Sequence, residues 1–157
     1  MWTQVRNISG LDLYVSYDED KIKQITTQKP NEGILPVIHE RFRYITDFLE
    51  NHTKHTVFIE AFDDLDLSWT TPFQYKIYKT AAMVPCGTLI SYGALAGLAG
   101  RPKAARAVGA AMTANRFSII IPAHRVVGAG RKLSGTKCNH YDSRIQLLHS
   151  EGIYDFK

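Results

Sequence analysis

The chain reads as an α+β protein. A small N-terminal α/β domain over residues 1–68 precedes a mainly helical C-terminal domain over 69–157, which carries a winged helix-turn-helix-like unit. Three features of the 157 residues point there. Runs in the first 70 residues alternate apolar and polar side chains, the period of half-buried strands. The second half is divided by residues that start and stop helices. Between the two lies the acidic stretch Asp63-Asp64-Leu65-Asp66, where we place the boundary.

Leu11-Asp12-Leu13-Tyr14-Val15-Ser16-Tyr17 is the clearest strand, and Ile22 to Thr26 a second, shorter one. From Ile34-Leu35 to Phe48-Leu49, the apolar residues Ile38, Phe42, Ile45, Phe48 and Leu49 recur at helical spacing and predict an amphipathic helix. Thr56 to Glu60 reads as a further strand. Thr71-Pro72-Phe73-Gln74 then places Thr at an N-cap, Pro at N1 and Gln at N3, a capping box. That helix runs to about Met83 before Pro85 and buries Phe73, Ile77 and Ala81. Ser91 caps a helix from Tyr92 to Ala99, which Gly100 ends. Pro102 starts another that runs to about Ala114. The Gly-Arg-Pro turn between these two gives helix-turn-helix spacing. Ile119-Ile120-Ile121 predicts a short buried strand stopping at Pro122. A last helix, about Tyr141 to Ser150, presents Ile145, Leu148 and His149.

Charge is unevenly distributed. Overall there are 19 Lys and Arg against 15 Asp and Glu, but no acidic residue lies between Asp66 and Asp142, where ten Lys or Arg occur. That block also carries enough Ile, Leu and Val to build a core, which excludes a disordered basic tail. It suits a folded surface facing a polyanion. No apolar run approaches the roughly 18–20 residues of a membrane span, and the N-terminus lacks a secretory signal's apolar stretch. Cys86 and Cys138 make no disulfide framework, so an intracellular, reducing location, the cytoplasm, is expected. Cys86, between Pro85 and Gly87, reads as a turn or buried thiol. His39 and His52-x-x-His55 hint at a metal, but no cysteine stands near them, and no metal or other cofactor is expected. On the Pro102–Ala114 helix, Lys103, Arg106, Ala107, Ala110 and Ala114 share one face, basic at one end and otherwise nearly bare. Such a face allows close approach to DNA, with cations reaching phosphates. Tight helix–helix packing through the alanines is the alternative and stays open.

The segment Thr71 to Gly152 resembles the C-terminal domain of the O6-alkylguanine-DNA alkyltransferases. The resemblance rests on Thr71-Pro72-Phe73-Gln74, Ile90-Ser91-Tyr92-Gly93, Pro102-Lys103-Ala104-Ala105-Arg106-Ala107-Val108-Gly109, Asn115, Ile121-Pro122-x-His124-Arg125-Val126, Ser134-Gly135 and Glu151-Gly152, in family order. It implies binding of duplex DNA in the minor groove and extrusion of O6-alkylguanine into a pocket, by a monomer. One position departs from the pattern. The family motif Pro-Cys-His-Arg-Val carries the alkyl-accepting cysteine, and here that residue is Ala123. A methyl group is no nucleophile. The alanine is either natural, as in alkyltransferase-like proteins that bind lesions without repairing them, or a replacement of cysteine in an active enzyme. For the former, the resemblance implies hand-over to nucleotide excision repair proteins. A sequence-specific helix-turn-helix regulator is a third class.

The resemblance also implies roles. His124 is the general base, oriented by Glu151, and Asn115 a hinge of the hydrogen-bond network. Tyr92 presses on a phosphate to rotate the nucleotide outward, while Arg106 fills the vacated stack. Lys103, Arg101, Ala107 and Ala110 meet DNA. Pro122, Val126, Leu133, Ser134 and Gly135 line the guanine pocket. Leu133 and Thr136 stand where the family usually has Tyr and Gly, and Arg101 where it has Asn.

Overall fold

A computed structural model of the chain describes residues 1–54, 59–133 and 141–157, less the side chains of Asn7, Tyr141 and Asp142. It is a mixed α/β structure. Strands β1 (Trp2–Ile8), β2 (Leu11–Tyr17), β3 (Ile22–Thr26) and β4 (Ile34–Leu35) form one sheet in the order β3-β2-β1-β4. The β1–β2 hairpin closes through Ser9 and Gly10, both at positive φ (52° and 82°), the two-residue turn that matches strand twist. Strand β1, with Val5 and Ile8 buried, adds to the strands expected from the sequence. The next helix is shorter than expected. Ile34–Leu35 pairs in parallel with Trp2–Thr3, because the residue before Pro36 is pushed to extended backbone. Helix α1 spans only Arg43–Glu50, behind a 3-10 turn at Glu40–Phe42.

Of the strand expected at Thr56–Glu60, residues 56–58 lie outside the described residues, and Glu60 opens a 3-10 turn, Glu60–Asp64. The acidic stretch is stitched down rather than loose. Asp64 accepts from Tyr44 and Arg41, and Asp66 accepts from Lys23 at 2.9 Å. Leu65 and Leu67 enter the hydrophobic core, which is continuous from Val5 through Ile77 and Ile121 to Leu147.

Helix α2 (Pro72–Ala82) carries the capping box, with Gln74 N–H donating to Thr71 Oγ1 and Thr71 N–H to Gln74 Oε1. It buries Ile77 and Ala81 as expected, together with Tyr78, but Phe73 only partly. Strand β5 (Ile90–Ser91) leads into α3 (Tyr92–Leu98), capped by Ser91. The next helix, α4 (Ala105–Ala114), begins later than the expected Pro102 start. Ala104 N–H donates to Arg101 C=O, which makes Arg101–Ala104 a β-turn with Pro102 at its favoured second position. Strand β6 (Val126–Val127) pairs in parallel with β5, and α5 (Tyr141–Ser150) closes the fold. Among the described residues, no helix is long and apolar enough to cross a membrane.

Ile119-Ile120-Ile121 is buried as expected, but as a turn and not a strand. Asn115 makes the difference. Its Oδ1 accepts from Phe117 N–H at 2.9 Å and its Nδ2 donates to Ile121 C=O at 2.9 Å, folding the chain back on itself. Ile119 sits at φ 73°, costly for a β-branched residue. Strand β3 helps hold it there, since Ile25 N–H donates to Arg116 C=O and Ile25 C=O accepts from Ser118 N–H. Replacing Asn115 with Ala removes both side-chain bonds. We expect Asn115→Ala to lose about 2 kcal/mol of stability in urea unfolding, at about 1 kcal/mol per bond.

Candidate functional site

The β5–β6 pairing sets Ser91 opposite Val127, so the start of α3 lies beside the 3-10 turn Ala123–Arg125. Tyr92, Asn115, Ala123 and His124 consequently line one cavity of about 230 Å³. Met112, Thr113 and Arg116 line it from the α4 side, and Ser143, Arg144 and Leu147 from α5. The turn at 118–121 lines it too, and a further wall is the end of β3 with the residues just beyond it, Gln24 to Gln28. No sequence pattern announces that wall, because only tertiary packing brings residues so far apart in the chain together.

Behind Ala123 lies a buried charge cluster. His124 is 3% exposed and Glu151 0% at their side chains, and His124 Nε2 meets Glu151 Oε1 at 2.7 Å. A carboxylate only accepts, so Nε2 carries the proton and Nδ1 is left with its lone pair. Arg125 donates to the same carboxylate through Nε (2.9 Å) and Nη2 (2.8 Å), and through Nη1 to Val84 C=O at 2.7 Å. Gly87 N–H completes the set on Glu151 Oε2 at 3.0 Å. Burial alone would raise the Glu151 carboxyl, but the bonds from His124 and Arg125 outweigh it and hold it well below the ordinary carboxylate range. Burial lowers His124 and keeps it neutral near pH 7, despite its carboxylate partner. Arg125 stood in the sequence motif without an assigned role. Its burial is visible only in the structure, where a buried cation requires an acid.

Cys86 occupies the turn Pro85–Thr88, with Gly87 at φ 80°. It does not line the cavity, and burial pushes its thiol up, away from the reactive thiolate. Cys138 lies outside the described residues, as do Ser134, Gly135 and His55. His52 is buried 3.0 Å from Leu49 C=O, and His39 accepts from Arg41 N–H.

The other expected residues divide into two groups. Arg106, Ala107, Ala110 and Ala114 are exposed on α4 while Val108, Ala111 and Met112 are buried; Lys103, also exposed, precedes the helix in the Arg101–Ala104 turn and not on the helical face expected for it. Arg101 is exposed too, its guanidinium 4.5 Å from the Phe73 ring centroid. Pro122 and Val126 are buried around the turn, and Val126 C=O accepts from Arg144 at 3.4 Å. Leu133 stands apart from the cavity, in a small cluster with Val127, Leu148 and Ile153.

Comparison with known proteins bears on the same segment. Residues 72–153 match the family model of the 6-O-methylguanine DNA methyltransferase DNA binding domain. The methylated-DNA–protein-cysteine methyltransferase of Shigella flexneri is 51% identical over 86 residues, 52% of this chain and 47% of that one. The protein of the same name from Methanosarcina mazei is 38% identical over 94 residues, 60% and 58% of the two chains. The chain spans about half the length of the curated relatives it matches. Among solved structures, the Mycobacterium tuberculosis O6-methylguanine methyltransferase superimposes with a TM-score of 0.75 at 28% identity, over 96% of this chain and 93% of that one.

The buried cluster makes stability depend on pH. Glu151, with its pKa depressed in the fold, contributes fully above its ordinary value of 4.5 and less as pH falls below it. His52 and His124, both lowered from 6.5, favour the fold only while neutral, so their contribution fades below about pH 6.5. Glu151→Gln leaves Arg125 buried without its counter-ion and should cost about 3 kcal/mol at pH 7. Urea unfolding across pH 4 to 8 should show that loss and a flattened limb below pH 4.5, with the decline from pH 6.5 retained. Unchanged stability at pH 7 would refute the assignment.

Proposed function

The chain belongs to the 6-O-methylguanine DNA methyltransferase family, and from that premise we propose that it binds duplex DNA through α4 and draws O6-alkylguanine into the cavity at Ala123 without transferring the alkyl group. One observation carries this reading. Ala123 and Tyr92 line a single cavity, and α4, which contributes to its wall, turns a bare face outward. Ala107, Ala110 and Ala114 let the helix backbone come close to a minor groove, as small residues must. Lys103 and Arg101 reach phosphates, and Arg106 fills the gap left in the stack. Tyr92 works on the phosphate beside the nucleotide being rotated. Extrusion costs a few kcal/mol, least for a poorly paired lesion, which supplies part of the discrimination.

Transfer would need a sulfur lone pair to attack the alkyl carbon as its bond to guanine O6 breaks. His124 Nδ1 is free to take a thiol proton, but position 123 offers none. The alkylated base therefore stays intact in the pocket, marked for excision by other proteins. The free Nδ1 lone pair favours a second reading, an alkyltransferase disabled at this one residue, and the same experiment addresses both. A duplex with one O6-methylguanine should bind about tenfold or more tightly than its unmodified twin, by fluorescence anisotropy, with no methyl transferred. Equal affinity for the two would sink lesion recognition. Ala123→Cys should accept one methyl per molecule from labelled DNA if the machinery is otherwise complete. Lys103→Ala should weaken both duplexes alike and reduce the salt slope by about one.

A further inference from the structure

Arg116 follows the hinge residue Asn115 and lines the cavity with Tyr92 and Thr113; because it is exposed, we place it on the solvent side of the cavity, its mouth. Its side chain is exposed, and its guanidinium carbon lies 4.4 Å from the centroid of the Trp69 ring. Trp69 is itself held in place, donating through Nε1 to Asp66 C=O at 2.9 Å and packing on Tyr78. Among the described residues, no carboxylate lies within ion-pair distance of Arg116, unlike Arg41, Arg125 and Arg131. The chain thus fixes one face of a guanidinium on an indole and leaves its donors to solvent. A planar cationic fork in that state suits a phosphate, which accepts two of its N–H groups at once.

Position decides which phosphate. A base inside the cavity leaves its sugar and phosphates at the mouth, where Arg116 stands. Resting on the lesion-binding function proposed for this cavity, we propose that Arg116 binds a backbone phosphate beside the extruded nucleotide, so that it stabilises the extruded state and not the initial contact with DNA.

The test measures affinity against salt for the O6-methylguanine duplex and its unmodified twin, with 2-aminopurine next to the lesion to report unstacking. Arg116→Gln should bind the lesion duplex about tenfold more weakly, with a salt slope lower by about one and less 2-aminopurine emission. Its affinity for the unmodified duplex should change less than twofold. Arg116→Lys, which keeps the charge without the fork, should keep the slope and lose only part of the affinity. Trp69→Leu should weaken lesion binding by freeing the guanidinium. Unchanged lesion affinity and slope in Arg116→Gln overturns the proposal, and so does equal weakening of both duplexes. If the unsubstituted chain does not distinguish the two duplexes, lesion recognition itself falls; if it does and Arg116→Gln matches it, only the phosphate contact falls.

Discussion

The Glu151 carboxylate is the constraint on which the site depends. It lies fully buried at the end of α5 and collects donors from two other places in the chain: His124 and Arg125 in one turn and the Gly87 amide in another. Taking a carboxylate out of water costs several kcal/mol, and only a full set of hydrogen bonds offsets that. The turn at 85–88, the turn at 123–125 and the end of α5 must therefore meet at one point. Arg125 extends the knot to Val84 C=O. The same bonds fix the His124 ring and its proton, and so the direction of its free nitrogen.

A second, weaker tie runs between the two halves of the chain. Ile25 of β3 bonds both Arg116 C=O and Ser118 N–H, while Asn115 closes the same turn from within. Both sets bracket Ile119, which sits at positive φ between them. The sheet thereby becomes a wall of the cavity rather than a bystander. The small N-terminal unit, whose sequence carries no chemistry-bearing motif, shapes the space in which a ligand would sit.

How much of the fold is legible in the sequence depends on the range of the forces involved. Local signals match the structure: the alternation in β2, the capping box of α2, Ser91 at the start of α3, and the two faces of α4. Errors arise where local pattern and tertiary demand diverge. Three consecutive isoleucines look like a strand, yet the Asn115 side chain supplies the hydrogen bonds that turn them. Helical spacing after Ile34 is real, but Pro36 and the edge of β1 claim its first residues. Glu151 and His124, 27 positions apart, come together only through family resemblance, since no spacing rule joins a helix terminus to a distant turn. The Gln24–Gln28 wall and the seat of Arg116 are illegible for the same reason.

An intact histidine–glutamate pair beside an alanine invites the inference that catalysis survives. The energetics argue otherwise. Removing Glu151 would strand Arg125 as an unpaired buried charge, so the cluster is kept by the stability of the fold whether or not a thiol stands at 123. Its persistence is therefore weak evidence about chemistry. The bare exposed face of α4 and the cations around it are different. Ala107 and Ala110 are exposed, and Arg106 and Lys103 make no ion pair among the described residues, so neither packing nor charge pairing accounts for the cations beside that bare face. Features that stability does not explain are the better witnesses to function, and here they all face outward.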